Sequence, residues 1–225
     1  MDYKVNFFFV FRKFDTLLDG LVVSVELTIL SIAIGLTLGF AIALLQMSPI
    51  RLVVLVATGF VEFFRCTPAI IQIIWIYYCV PIFFDVFISP FASGLLALSL
   101  NLAAFNAEAY RSTIQAIPRD HIDAGIALGL TPTQRAINII FPQSFLMAVP
   151  VLITNGVGVF QQSALVSVVA IADLMYQGKM LATQTYRPIE TLTMVAVIYF
   201  VVALPITLSA KVVEGKISKR IGGRI

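Results

Sequence analysis

The chain has 225 residues, of which 60% are hydrophobic and only 12% charged, and its mean hydropathy is +0.98. Soluble domains carry roughly 25% charged residues, so an ordinary water-soluble globule is excluded; recurring apolar stretches free of Asp, Glu, Lys and Arg point instead to an all-α, polytopic membrane protein. The net charge of +3 comes from basic residues spread over short loops rather than gathered in a stripe, which argues for cytoplasmic membrane loops and against a nucleic-acid partner.

Residues 1–19 mix Asp2, Lys4, Arg12, Lys13 and Asp15 with phenylalanines, which suits an extracytoplasmic, interfacial lead-in better than a signal peptide. About five segments then suffice to cross a hydrocarbon core of roughly 30 Å. The first is expected from about Gly20 to Met47, the second from about Val53 to Phe84 and the third from about Ile88 to Ile114. The fourth lies within the charge-free run Ala136 to Ala172, which Pro142 and Pro150 are expected to break, and the fifth is expected from about Thr191 to Ala210. The two cysteines, Cys66 and Cys79, would stand about 20 Å apart on one helix, too far for a disulfide.

Five crossings place the termini on opposite sides. Arg51, Arg65, Arg111, Arg119, Arg135, Lys211, Lys216, Lys219, Arg220 and Arg224 fall on one side, and Lys4, Arg12, Lys13, Lys179 and Arg187 on the other. The positive-inside rule therefore expects the N-terminus outside and the C-terminus in the cytoplasm. It leaves residues 20–215 as the membrane domain and 216–225 as a basic cytoplasmic tail on anionic lipid.

The segment from Ser112 to Pro142 is the most informative. Arg119 to Leu128 reads as a short helix with acidic residues early, where the helix dipole favours them, and Gly129 supplies a C-terminal stop. Thr131-Pro132-Thr133-Gln134 has the form of a capping box that starts a second short helix. Two short helices outside the membrane are expected to expose Ala124, Gly125, Ala127 and Gly129 beside Ile122 and Ile126, a surface that another backbone approaches closely.

Asp123-Ala124-Gly125-Ile126-Ala127-Leu128-Gly129, followed by Ile140-Phe141-Pro142, resembles the EAA loop of the permease subunits of bacterial ABC importers. Phe63-Phe64-Arg65-Cys66-Thr67-Pro68, Ala107-Glu108 through Arg111, Ile114-Gln115-Ala116-Ile117-Pro118 and Leu165-Val166-Ser167-Val168 narrow the resemblance to the polar amino acid permeases of the His/Glu/Gln/Arg/opine type. Asp123, Gly125, Cys66 and Phe141 depart from the usual Glu, Ala, Gly and Leu, and Gln161-Gln162-Ser163-Ala164 stands where relatives commonly read K/Q-D-T-S. The resemblance implies a multi-pass subunit of the bacterial inner membrane. Ile122, Asp123, Ala124, Gly125, Leu128 and Gly129, within a coupling loop of about 116–142, would dock on an ATPase. Implied partners are a second permease, the same chain or a homologue, two ATP-binding subunits, an extracytoplasmic solute-binding protein, an amino acid and membrane lipid.

No residue set in the sequence supports catalysis. A G-x-x-x-x-G-K-[ST] phosphate loop is missing, so the chain is expected to be no enzyme and to hold no cofactor, with ATP-Mg on the partner ATPase. His121 has no second ligand at metal spacing, so no metal is expected, and no hydrolase triad is formed. Polar side chains stranded in spans normally face an interior or a cavity. Asn106 and Glu108 on the third span and Asn155, Gln161, Gln162 and Ser163 on the fourth are therefore the candidate solute contacts, with hydrogen bonds that tie the bundle together as the alternative. Asn155 and Gln162 are seven residues apart and share a face. Because Gln162 is neutral and Glu108 lies three residues from Arg111, a neutral or acidic amino acid of the glutamate, aspartate or glutamine type is favoured over a cationic one. The alternative function is a stand-alone small secondary carrier or channel, which would work without an ATPase.

Overall fold

The computed structural model describes residues 6–222, with side chains through Ile217; all regular structure among them is helical. The first five residues of the lead-in and the last three of the basic tail lie outside the described residues, as do the tail's side chains beyond Ile217. Four unbroken helical stretches are long and apolar enough to cross a membrane, and a bent pair brings the number to five if it forms one span.

Helix α1 (Phe8–Arg12) precedes α2 (Phe14–Gln46), so the first span starts six residues before the expected Gly20. The reason is packing. Val10 and Leu17 are fully buried in one cluster with Leu174, Leu181 and Val195, while Asp15 and Asp19 of the same turns stay exposed. Along α2 the buried face carries Gly20, Ser24, Thr28, Ser31, Gly35 and Gly39, a run of small residues that lets backbones meet. A Cβ on Gly39 would lie 2.8 Å from Asn106 Cβ and 2.9 Å from the Ala103 carbonyl. Ser24 and Thr28 donate their hydroxyls to the carbonyls of Gly20 and Ser24, at 3.2 and 2.7 Å, and Ser24 Oγ also accepts from Leu174 N at 3.1 Å.

The second span is not one helix. α3 (Arg51–Cys66) and α4 (Ala69–Phe84) meet at Thr67-Pro68 with a bend of 106°, which also corrects the premise that Cys66 and Cys79 share a helix; both are free thiols. Proline lacks the N–H that would continue the helix and pushes the preceding residue into extended backbone; Thr67 has ψ 140°. The corner leaves carbonyls of α3 without helical partners, and buried side chains take them. Gln72 Nε2 donates to Phe64 O (2.9 Å), Thr67 O (3.1 Å) and Thr67 Oγ1 (2.7 Å). Asn101 Nδ2 donates to Phe64 O (3.0 Å) and Gln72 Oε1 (3.1 Å). Asn101→Leu strands the Gln72 amide oxygen in the interior, and an unsatisfied buried polar group costs about 1–3 kcal/mol. The expected result is a lower unfolding temperature in detergent; a melt equal to the parent's would show that the corner does not depend on this network.

Asn101 belongs to α5 (Pro90–Gln115), capped by Ser89, whose Oγ accepts from Ala92 N at 3.2 Å. α5 is the most buried of the candidate spans and lies against α2, α3 and α4. Two short helices follow, α6 (Arg119–Ala127) and α7 (Pro132–Arg135). The chain then continues through a π turn (Ala136–Ile140) into α8 (Phe141–Gln162) and a 3-10 stretch (Ser163–Val169). The expected break at Pro142 is absent. Phe141 N bonds to Ala136 O, five residues back; such wider turns accommodate disturbances in the regular hydrogen-bond ladder, and here one lies immediately before the proline. Pro150 is likewise carried within α8.

Between spans four and five the structure adds a helix that sequence reasoning missed, α9 (Leu174–Thr185), before α10 (Pro188–Gly222). Ala43, Val61, Ala107, Tyr110 and Ala148 cluster near the α6–α7 end, whereas Leu17 and Leu174 cluster at the other. α2 and α5 therefore both run toward the α6–α7 elbow.

Candidate functional site

The elbow is built by local chemistry. α6 ends at Ala127 with Leu128 as its C-cap, after which Gly129 takes φ +75°, a left-handed conformation that only glycine enters without strain. Leu130 N reaches back to Gly125 O (3.0 Å) and Gly129 N to Ile126 O (2.9 Å), the paired bonds that close a glycine-terminated helix. α7 opens on the expected capping box. Gln134 N donates to Thr131 Oγ1 (3.3 Å) and Thr131 N to Gln134 Oε1 (2.9 Å). His121 Nδ1 lies 2.9 Å from Gln143 Oε1 and ties α6 to the base of α8.

The exposed surface differs from the expected one at Gly125. A Cβ there would lie 2.8 Å from Ile139 Cδ1 and 3.1 Å from Arg135 Cγ, so Gly125 is the point where α6 leans on the following helix. Ile122 is half-buried, while Asp123, Ala124, Ala127 and Gly129 are exposed. Ile126 and Leu128 are 54% and 78% exposed, and the outer surface of the elbow is therefore more apolar than its small residues alone suggest.

α8 carries the polar candidates. Val151, Thr154 and Gln161 are exposed and Asn155, Gly158 and Gln162 half-buried. At 100° per residue these six form one stripe, on the side opposite the buried Gly156 and Phe160. A Cβ on Gly158 would meet nothing within 4 Å, so this glycine opens the stripe rather than serving packing within the chain. Asn155 Nδ2 donates to Asn106 Oδ1 at 3.0 Å, which brings two predicted residues together. Asn106 is buried and its Nδ2 has no partner; Gln162 Oε1 is also buried without one. Ser163 points inward and returns its hydroxyl to Phe160 O at 2.8 Å.

Glu108 sits elsewhere. Its carboxylate is gripped by Arg111 through two bonds of 3.0 and 2.6 Å, and Arg65 lies at 3.9 Å. Arg65 also approaches Glu62 at 3.8 Å and stacks over Phe105. This cluster ties the end of α3 to α5 and leaves Glu108 apart from the stripe.

Beyond Gln162 the 3-10 stretch ends at Ala170, with φ +60°, and turns to Asp173, which caps α9. The carboxylate accepts from Met175 N (3.1 Å), Tyr176 N (2.9 Å) and Tyr199 Oη (3.4 Å). Burial outweighs these bonds and pushes the carboxyl from 3.8 up to about 6. An acid raised in the folded state holds its proton more tightly there. Its contribution is fully present below about pH 4 and declines until pH passes about 6, by an amount on the order of 3 kcal/mol at most. Asp173→Asn keeps a capping acceptor and is expected to flatten the melting temperature between pH 4 and 6; an unchanged slope would place the titration elsewhere.

Residues 35–219 match the family described as binding-protein-dependent transport system inner membrane component. The chain is 30% identical over 201 residues to the arginine transport system permease protein ArtQ of Bacillus subtilis, covering 89% of this chain and 92% of that one. It is 33% identical over 199 residues to the glutamate/aspartate import permease protein GltK of Escherichia coli O6:H1, with 85% and 89% covered. Its fold is similar, at a TM-score of 0.90 and 32% identity, to the crystal structure of an amino acid ABC transporter with histidines; 95% of this chain and 100% of that chain are covered.

Proposed function

The chain belongs to the binding-protein-dependent transport system inner membrane components, and from that premise we propose that it moves a neutral or acidic amino acid by alternating access, driven by ATP hydrolysed on separate subunits. It is a membrane-spanning permease of an amino acid ABC importer, a kind of system that works with an ATPase and a solute-binding protein. In our reading the working assembly pairs it with a second permease, identical or homologous, and with two ATP-binding subunits. The N-terminus faces outward, and the elbow and the C-terminus face the cytoplasm of a bacterial cell. The stand-alone carrier is set aside: of the two intramembrane carboxylates it could use, Glu108 is held by Arg111 and Glu26 lies exposed on α2, so they form no relay.

The observation that carries the mechanism is continuity. From Pro132 to Val169 the helix passes from the elbow to the polar stripe without a break, and α6 leans on Arg135 and Ile139 of that helix at Gly125, so a push on Ala124, Ala127 and Leu128 is handed across this contact and reaches Asn155 and Gln162 as a tilt. Asn106 lies on α5 and hydrogen-bonds to Asn155, so the two helices that flank the elbow are also tied at the stripe. ATP-bound closure of the ATPases draws the elbows together, and the stripe turns from the cytoplasmic to the outer opening. Reversing a strongly biased two-state equilibrium takes on the order of 5.5 kcal/mol, which requires firm docking.

Gln162 supplies a hydrogen bond to the solute in this scheme, a contact typically worth about 0.5–1.5 kcal/mol. Gln162→Leu is expected to raise the half-saturation concentration for uptake about two- to tenfold with unchanged membrane content. An unaltered uptake curve would reduce Gln162 to a helix-packing residue.

A further inference from the structure

On the side of α8 away from the polar stripe lies a groove of about 770 Å³, walled by α2, α5, α8 and α10. We propose that it is a binding site for one phospholipid acyl chain, seated behind the helix that lines the solute path. Its walls are set by Ile29 and Ile32 of α2, Leu102 of α5, Val149 and Ile153 of α8 and Ile206 of α10, and no charged residue lines it. The hydroxyls of Thr28 and Thr37 in its wall are already donated to helix carbonyls at 2.7–3.0 Å. Asn106, in its wall, has its amide oxygen bonded to Asn155 and leaves its Nδ2 as a single unpartnered donor among hydrocarbon side chains. Water finds few partners here, and a space of this size lined by hydrocarbon side chains favours an apolar occupant.

Three observations select lipid over a second polypeptide. First, the groove is open at its rim, where Ile29, Phe145 and Ile206 are 60%, 55% and 43% exposed. Second, the lining from Val25 to Phe40 on α2 runs about 22 Å at 1.5 Å per residue, enough for a chain from one leaflet of a core roughly 30 Å thick. Third, Val149, Gly156 and Phe160 point into the groove while Thr154, Gly158 and Gln161 point the other way. A second permease that meets the polar stripe therefore stands across α8 from the groove. This last step rests on the stripe being the solute path. A chain seated here would fill the space into which α8 leans when it tilts, so its occupancy would bear on the motion proposed above.

The test places p-benzoylphenylalanine at Ile153, inside the groove, at Thr154, on the stripe, or at Ile29, on the rim. Each permease is assembled with its ATPase and irradiated in nanodiscs of palmitoyl-oleoyl phosphatidylethanolamine and phosphatidylglycerol. Mass spectrometry is expected to find one phospholipid added to the Ile153 and Ile29 variants and a polypeptide cross-link from Thr154. Capture of a polypeptide at Ile153, or no adduct there while Ile29 captures lipid, would overturn the site. Lipid captured at both Ile153 and Thr154 would leave the groove standing and remove the path from α8.

Discussion

Leu128→Asp is expected to lower ATP-driven uptake about ten- to a hundredfold and to release the ATPase during purification, while the permease still inserts. Leu128 is 78% exposed at the tip of the elbow, and its side chain has no core of its own to lose. Burying a leucine contributes about 1.5–3 kcal/mol, and each 1.4 kcal/mol is a factor of ten in an equilibrium. Aspartate removes that contribution and adds a carboxylate that must be desolvated on docking. Gly129 is a poorer site for the same experiment: at φ +75° any side chain strains the turn by roughly 1–2 kcal/mol, so a defect there mixes misfolding with failed docking. Normal co-purification and normal uptake by the Leu128→Asp protein would remove the elbow from the coupling path.

Span number and the elbow were legible in the sequence because both rest on local rules. Uncharged runs of about 20 residues mark crossings, and Thr131-Pro132-Thr133-Gln134 dictates a helix start wherever it occurs. The corner at Thr67-Pro68 was hidden because hydropathy is blind to direction, and because the side chain that completes it, Asn101, lies 37 residues from the Phe64 carbonyl it satisfies. α9 was missed for a different reason. Its sequence, with Lys179 and several polar residues, is too hydrophilic to signal a span, and only Asp173 before Leu174 announced a helix start. The inward turn of Gly125 could have been read from spacing: Ile122 and Gly125 share one face of a helix, whereas Ala124, Ala127 and Leu128 share another. Asn155 and Gln162 were placed on one face by the same arithmetic. Ser163, one position further, was not separated from them, because the direction of the bundle core is a tertiary property.

Glutamate, aspartate or glutamine, rather than arginine or lysine, is expected to compete for uptake by the reconstituted complex, and Gln162→Asp is expected to admit arginine. The stripe of Thr154, Asn155, Gly158, Gln161 and Gln162 contains amides, a hydroxyl and no carboxylate, and Glu108 is neutralised by Arg111 at 2.6 Å. A cationic side chain brought to this stripe finds no opposite charge among its residues, and an unpaired charge at such a depth is costly; an acidic side chain bears the same cost there, so the stripe by itself favours glutamine first. Relatives named for arginine and for glutamate/aspartate match at similar identity, so overall likeness does not decide the matter and the local charge must. A carboxylate at position 162 changes that balance: at an effective dielectric of about 20, a pair about 4 Å apart gains about 4 kcal/mol before desolvation, while a tenfold gain needs only about 1.4 kcal/mol. The expected result is arginine inhibition at least tenfold stronger in the variant than in the parent, with glutamate inhibition weakened by like-charge repulsion. Inhibition of the parent by arginine and lysine, but not by glutamate, aspartate or glutamine, would overturn the substrate assignment. If the parent prefers glutamate yet Gln162→Asp leaves the amino acid profile unchanged, selectivity resides in the second permease or the solute-binding protein, and the stripe of this chain serves passage without discrimination.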